Sequence, residues 1–252
     1  MIVEIKDSVS LIDARQQVLT NARLVFQFSH RTPQSKKVMD DFFATKSVAT
    51  DTIFRGLFIQ LGSVFELFVR RSVEMVVETH AKIAAVYDDL PEKIRSRNLM
   101  YSGKALATIH EGISGRRISY DDVSRKLGTC HKGNRHFELN TKCFTLFVGN
   151  CTSSRVSELM GSVDVRGEFW LEMGKRKELR DHLGSRETKE TQKITTDKLD
   201  EYILRRNGIV RRGEYFKTIT ANDIISYSEF FLAVTKAISV YLKTTMPARR
   251  HS

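Results

Sequence analysis

The chain has 252 residues, 41% of them apolar and 9% aromatic, which allows a sizeable buried core and excludes a disordered chain. Forty-one Lys and Arg stand against thirty Asp and Glu, a formal net charge of +11, and that balance points to a polyanionic partner: RNA, DNA or an acidic protein. Three prolines favour helices over a loop-rich all-β design, so the expected fold class is all-α. Cys130, Cys143 and Cys151 are odd in number and lack a CxxC pair, so neither a disulfide framework nor a zinc site is indicated. Met1–Asp7 carries no basic segment followed by an apolar run, and no stretch reads as a membrane span. A reduced, cytoplasmic protein without metal or cofactor is the expectation.

From Ser8 to Phe28, apolar residues recur at three- and four-residue steps, as a helix requires. Ser29 to Ser35 interrupts it, and Thr50 or Asp51 can cap a long helix running to about Val86. Its stripe of Ile53, Leu57, Phe58, Leu61, Phe65, Phe68, Val69, Val73, Val76 and Val77 marks the central core helix. Inside that stripe Glu66 precedes Arg70 by four residues, the spacing of a surface ion pair worth a few tenths of a kcal/mol. Pro91 suits the first turn of a helix over 92–111, and residues 112–150 read as an insertion with one short helix from Ser119 to Leu127. The run from Phe137 to Val148 fits either extended structure or a helix. Ser153 or Ser154 is expected to cap a helix through Met160, and Phe169 to Leu183 forms another. Polar residues 184–195 are expected to be a flexible loop, after which Thr195 or Thr196 caps the next helix. A last helix follows Ile219, burying Ile224, Phe231, Val234, Ile238 and Tyr241.

The segment before that last helix carries the chemistry. Leu199, Ile203 and Leu204 lie on one side of a helix end, and Arg205, Arg206, Arg211 and Arg212 then crowd around the Asn207-Gly208 pair. Guanidiniums so close repel one another unless an anion sits between them, so a phosphate-binding role follows naturally. The plain alternative is a solvated basic turn closing a helix hairpin.

Arg206-Asn207-Gly208-Ile209-Val210-Arg211-Arg212-Gly213 resembles the signature of the HEPN superfamily of α-helical ribonucleases: Arg, a polar residue, an apolar pair, then His with Gly close behind. The match holds at Arg206, Asn207, Ile209-Val210 and Gly213, and departs where Arg211 stands for the family's His. The long helix at 50–86 and the stretch from about 150 to 245 share the resemblance, closest to the RiboL-PSP-type branch. It implies a single HEPN-like domain over residues 1–252, with a helical core at about 8–111 and 150–245 and an irregular insertion at 112–150. It also implies a homodimeric, metal-independent endoribonuclease of a toxin or phage-defence setting. In such an enzyme the RNA 2′-OH attacks the phosphate and leaves a 2′,3′-cyclic phosphate. RNA is the implied partner, alongside an antitoxin or defence-system protein.

Mapped on this chain, Arg206 would hold the scissile phosphate, Asn207 would orient it, and Arg211 would occupy the proton-transfer position. Arg205, Arg212 and Glu66 would contribute to substrate binding. Arginine stays protonated and cannot carry a proton back and forth, so the copy is expected to be silent or weak. Two explanations stand: an inactivating substitution in a toxic nuclease, or a degenerate copy kept for binding or assembly. Arg125–His131 and Arg176–His182 repeat the spacing loosely, and His131 and His136 with Cys130 and Cys143 match no established metal set. A non-catalytic HEPN scaffold binding RNA or a partner protein is the alternative, and a helical DNA-binding regulator the more distant one.

Overall fold

The computed structural model describes residues 33–109, 118–146, 149–165, 167–212 and 218–246, with side chains from 51 onward except those of Ile109 and Arg212. The expected helix from Ser8 to Phe28 lies outside the described residues. Eight α-helices are present among those described: α1 Pro33–Ile83, α2 Glu92–Ile109, α3 Tyr120–Thr129, α4 Ser153–Ser162, α5 Phe169–Gly174, α6 Lys177–Leu183, α7 Thr188–Arg212 and α8 Ala221–Thr245. No described residue is in a strand, and the all-α class holds.

Two compact units form, each from two separate stretches of chain: 33–65 with 201–233, and 66–200 with 234–246 among the described residues. The first is an aromatic cluster clasped by three helix segments. Phe58, Leu61 and Phe65 come from α1, Tyr202 from α7, and Tyr227, Phe230 and Phe231 from α8, all buried. Tyr202 sits at the centre, its ring 4.5 Å from Phe58, 5.0 Å from Tyr227 and 4.8 Å from Phe231 between centroids. Tilted and edge-on geometries of this kind suit the ring quadrupoles. α8 opens with a reciprocal cap: Thr220 Oγ1 accepts from Asp223 N–H at 3.1 Å, and Asp223 Oδ2 accepts from Thr220 N–H at 2.9 Å.

The second unit buries Val69, Val73, Val76 and Val77 of α1 with apolar residues of α4, α5, α6 and α8. The expected insertion is tied to α2 by buried amides. Asn98 Oδ1 accepts from Asn140 N–H at 3.0 Å, while Asn140 Nδ2 donates to Ser102 Oγ and to the Val123 carbonyl, each at 3.0 Å. Beneath that network lies a small core of Ala105, Val123, Cys143 and Leu146. Burial pushes the Cys143 thiol up to about 11, so it packs as a small neutral side chain. The short helix is present as α3, and the ambiguous run resolves into irregular residues 137–140 and a 3₁₀ turn, Thr141–Thr145.

Several expectations are corrected. α1 runs through Thr50 and Asp51 instead of starting there, because Asp51 accepts from Arg55 Nε one turn on, at 2.6 Å, and needs no capping role. It stops at Ile83, where Asp89 Oδ2 captures the N–H groups of Ala85 and Val86, each at 3.1 Å. Ile53 is 47% exposed and stands outside the core stripe. Thr152, not Ser153 or Ser154, caps α4; Ser153 is held instead by Asp200, whose two oxygens accept from its N–H at 2.7 Å and its hydroxyl at 2.6 Å. Phe169 to Leu183 is two helices, broken after Gly174, where the Thr188 carbonyl approaches too closely for any Cβ.

The expected flexible loop at 184–195 is mostly helix. Gly184 ends α6 in the left-handed conformation, at φ 65°, and α7 begins at Thr188. Thr191 and Thr195 are interior residues, not caps; both are fully buried, their hydroxyls donating to the Glu187 and Thr191 carbonyls at 2.8 and 2.7 Å. That back-bonding is what lets a polar sequence enter a core. The absence of a membrane-length stretch is also corrected: Asp51–Ile83 and Ala221–Thr245 are long and apolar enough to cross a membrane by length and composition. Both also carry buried core faces, with Phe58, Phe65 and Val69 on one and Phe231, Val234 and Ile238 on the other.

Candidate functional site

The arginine stretch is not a turn. α7 continues through Arg212, so Arg205, Arg206, Asn207, Gly208 and Arg211 all sit on one regular helix. Leu199 and Ile203 are buried as expected, whereas Leu204 is 73% exposed. The buried stripe runs through Thr195, Leu199, Tyr202 and Ile203.

Arg206 follows Tyr202 by one turn, and both lie against α1 at Gly62. A Cβ placed on Gly62 would stand 2.9 Å from the Tyr202 hydroxyl and 3.0 Å from Arg206 Cδ. Gly62 thus permits a helix crossing that a larger residue would prop open. The Tyr202 hydroxyl donates to the Phe58 carbonyl, which anchors the crossing one turn before Arg206. This arrangement escaped the sequence reading, although a glycine within the apolar run Leu61–Phe65 is the signal of a close backbone approach.

Arg205 faces the flank. Its Nη1 donates to Asp223 Oδ1 at 2.9 Å, and its guanidinium lies 5.4 Å from the Phe58 ring centre and 5.8 Å from that of Tyr227. Its side chain is only 17% exposed. The side chain expected to bind substrate is therefore already engaged in joining α7 to α8. Burial would raise the Asp223 carboxyl, but the hydrogen bonds from Arg205 and Thr220 outweigh it and hold the group below the usual carboxylate value. Burial, with Glu201 nearby, pushes the Tyr227 hydroxyl up.

Asp223 thus both caps a helix and pairs a partly buried arginine. Asp223→Ala is expected to cost about 2–3 kcal/mol, combining a lost cap with an unpaired Arg205. A thermal melt checks this. Because the folded-state pKa is depressed, the contribution is present above the unfolded value of about 4 and is lost as pH falls through the folded one. Asp223→Asn should therefore flatten the loss of stability on acidification.

Asn207 and Arg211 are one turn apart on the outer side of α7, Arg211 exposed and Asn207 partly buried. At about 100° per residue, Arg206 and Arg211 project about 140° apart around the axis. One helix therefore does not place both on one face. The Arg212 side chain and Gly213 lie outside the described residues. Glu66 belongs to the other compact unit and is 9% exposed, which sets it apart from a solvated surface carboxylate.

The two looser Arg–His spacings have other employment. Arg125 donates to Glu138 Oε1 at 2.7 Å and to Asp122 at 3.1 Å, and Arg176 lies over the Tyr241 ring at 5.1 Å. Comparison of the chain with protein-family models, curated proteins and solved structures gives no match.

Proposed function

We propose that the chain is a HEPN-type protein that acts on RNA, built as a metal-independent endoribonuclease and silenced at Arg211. The observation that carries this reading is the Arg206-Asn207 step on α7, with Arg206 braced by Tyr202 and Gly62 at a helix crossing. A braced guanidinium can hold two phosphate oxygens and favour the charge that builds as a 2′-OH attacks phosphorus. The formal charge of +11 adds an attraction that would draw an RNA strand to the site.

Arg211 stands where the resemblance calls for an imidazole. It can neutralise a phosphate but cannot take a proton from the 2′-OH or give one to the leaving 5′-oxygen. RNA would be bound and left largely intact. The separation of Arg206 and Arg211 around α7 suits a site completed by a second protomer, as the resemblance implies, better than one built on a single helix. A toxin or phage-defence role, with an antitoxin or defence partner, rests on the resemblance alone.

A second reading draws support from the surface of α7. Leu204 is 73% exposed and Val210 58% exposed, close to Arg211, and a basic face flanked by apolar side chains suits a protein partner. In that case the chain is a HEPN scaffold without catalysis.

RNA binding tests the proposal. Arg206→Ala should weaken affinity for single-stranded RNA by roughly ten- to hundredfold, the value of a charge-assisted hydrogen bond of about 1.5–3 kcal/mol. Equal affinity of the parent and the variant across a salt series contradicts it.

A further inference from the structure

The second compact unit holds a groove of its own, apart from Arg206. It has a volume of about 310 Å³ and is lined by Leu67, Arg70, Arg71 and Glu74 of α1 together with Ile118, Lys142 and Thr145. The α1 residues recur at positions i, i+3, i+4 and i+7, so they share one face of that helix. Arg71 and Lys142 line the groove with one carboxylate, Glu74, and that carboxylate is already committed. Glu74 Oε2 accepts from Arg71 Nη1 at 2.8 Å, and Oε1 accepts from the Thr145 hydroxyl at 2.9 Å. The Arg71 side chain is 72% exposed, so most of its guanidinium still faces solvent. Lys142, from the 3₁₀ turn Thr141–Thr145, is exposed and lines the same groove.

The groove is not wholly polar. Leu67 is 48% exposed and Ile118 is partly exposed, which puts two apolar side chains beside the cations. A second hollow of about 310 Å³ shares Ile118 and Lys142 and continues past Ser119 and Lys126. A volume near 300 Å³ is the lower end of small-ligand sites. Cationic and apolar side chains lining one groove match a group that is anionic at one end and flat and apolar at the other.

We propose that this groove binds a nucleoside monophosphate unit, with its phosphate between Arg71 and Lys142 and its base against Leu67 and Ile118. The unit is either a free nucleotide or one residue of an RNA strand; the chemistry of recognition is the same. Glu74 sets the strength of the site, because its charge draws Arg71 inward and repels the phosphate.

The test is a titration of the full-length chain with adenosine monophosphate, with a short single-stranded oligoribonucleotide and with inorganic phosphate. The parent is compared with Lys142→Glu and Glu74→Gln, and circular dichroism checks each fold. Lys142→Glu should weaken nucleotide binding about tenfold, and Glu74→Gln should strengthen it about threefold. Loss of mononucleotide affinity in Lys142→Glu, a residue of the second compact unit, separates this site from the one on α7. If the mononucleotide binds and displaces the oligonucleotide, the groove takes free nucleotides; if only the oligonucleotide binds, and does so through Lys142, it takes a strand. No saturable binding of either probe overturns the proposal, as do parental affinities in both Lys142→Glu and Glu74→Gln. Inorganic phosphate binding as tightly as the nucleotide overturns the role of Leu67 and Ile118.

Discussion

Arg211→His is expected to turn the protein into one that cuts RNA in the presence of EDTA. The substitution restores a group that can accept a proton from the 2′-OH and return one to the leaving oxygen near neutral pH. A positioned acid–base group contributes about 10²–10⁴-fold to such a reaction, so a product invisible with the parent should become measurable. The cut strand should end in a 2′,3′-cyclic phosphate, with a 5′-hydroxyl on the other fragment. Expression of the variant should also slow growth. RNA bound but uncut by Arg211→His supports the scaffold reading over the nuclease.

Tyr202→Ala should produce the largest loss of stability in the first compact unit. Tyr202 is fully buried, touches three other rings and donates to the Phe58 carbonyl. Removing a large buried aromatic costs about 3–5 kcal/mol, through lost transfer energy and the cavity left behind. In a chain of this length that lowers the melting temperature by at least about 6 °C. Tyr202→Phe keeps the ring and loses only the hydrogen bond, a cost of about 1 kcal/mol. If the two variants melt together, the hydroxyl and not the ring holds the crossing. Since Tyr202 and Arg206 share Gly62, Tyr202→Phe also reports whether the brace matters for RNA affinity.

The helices were legible where burial repeats at helical spacing. Ile224, Phe231, Val234, Ile238 and Tyr241 are all buried on α8 as their spacing requires. Boundaries were less legible, because the same residues serve two purposes. Asp51 can cap a helix, yet inside one it pairs with Arg55. Thr191 and Thr195 read as loop or cap residues, yet their hydroxyls return to the backbone and allow burial. Asn207-Gly208 reads as a turn, but no local residue breaks α7 before Arg212.

In the site, the residue types were legible but not their directions. Four arginines in one stretch signal an anion, while the fate of Arg205 depends on Asp223, eighteen residues away and on another helix. Leu204 has the apolar character of a core residue, yet Tyr202 fills the core, its polar tip hiding its apolar bulk. The basic groove at Arg71 and Lys142 joins residues 71 positions apart in the chain, a distance across which no local pattern reads.

The most direct measurement is photocrosslinking of a thiouridine-substituted single-stranded RNA to the unaltered protein, with the joined peptides located by mass spectrometry. The account predicts adducts on the α7 segment from Glu201 to Arg211, lost when unlabelled RNA competes and weakened by salt. Adducts confined to other parts of the chain, or no RNA captured at all, contradict the claim that this arginine-rich helix is where the protein meets RNA.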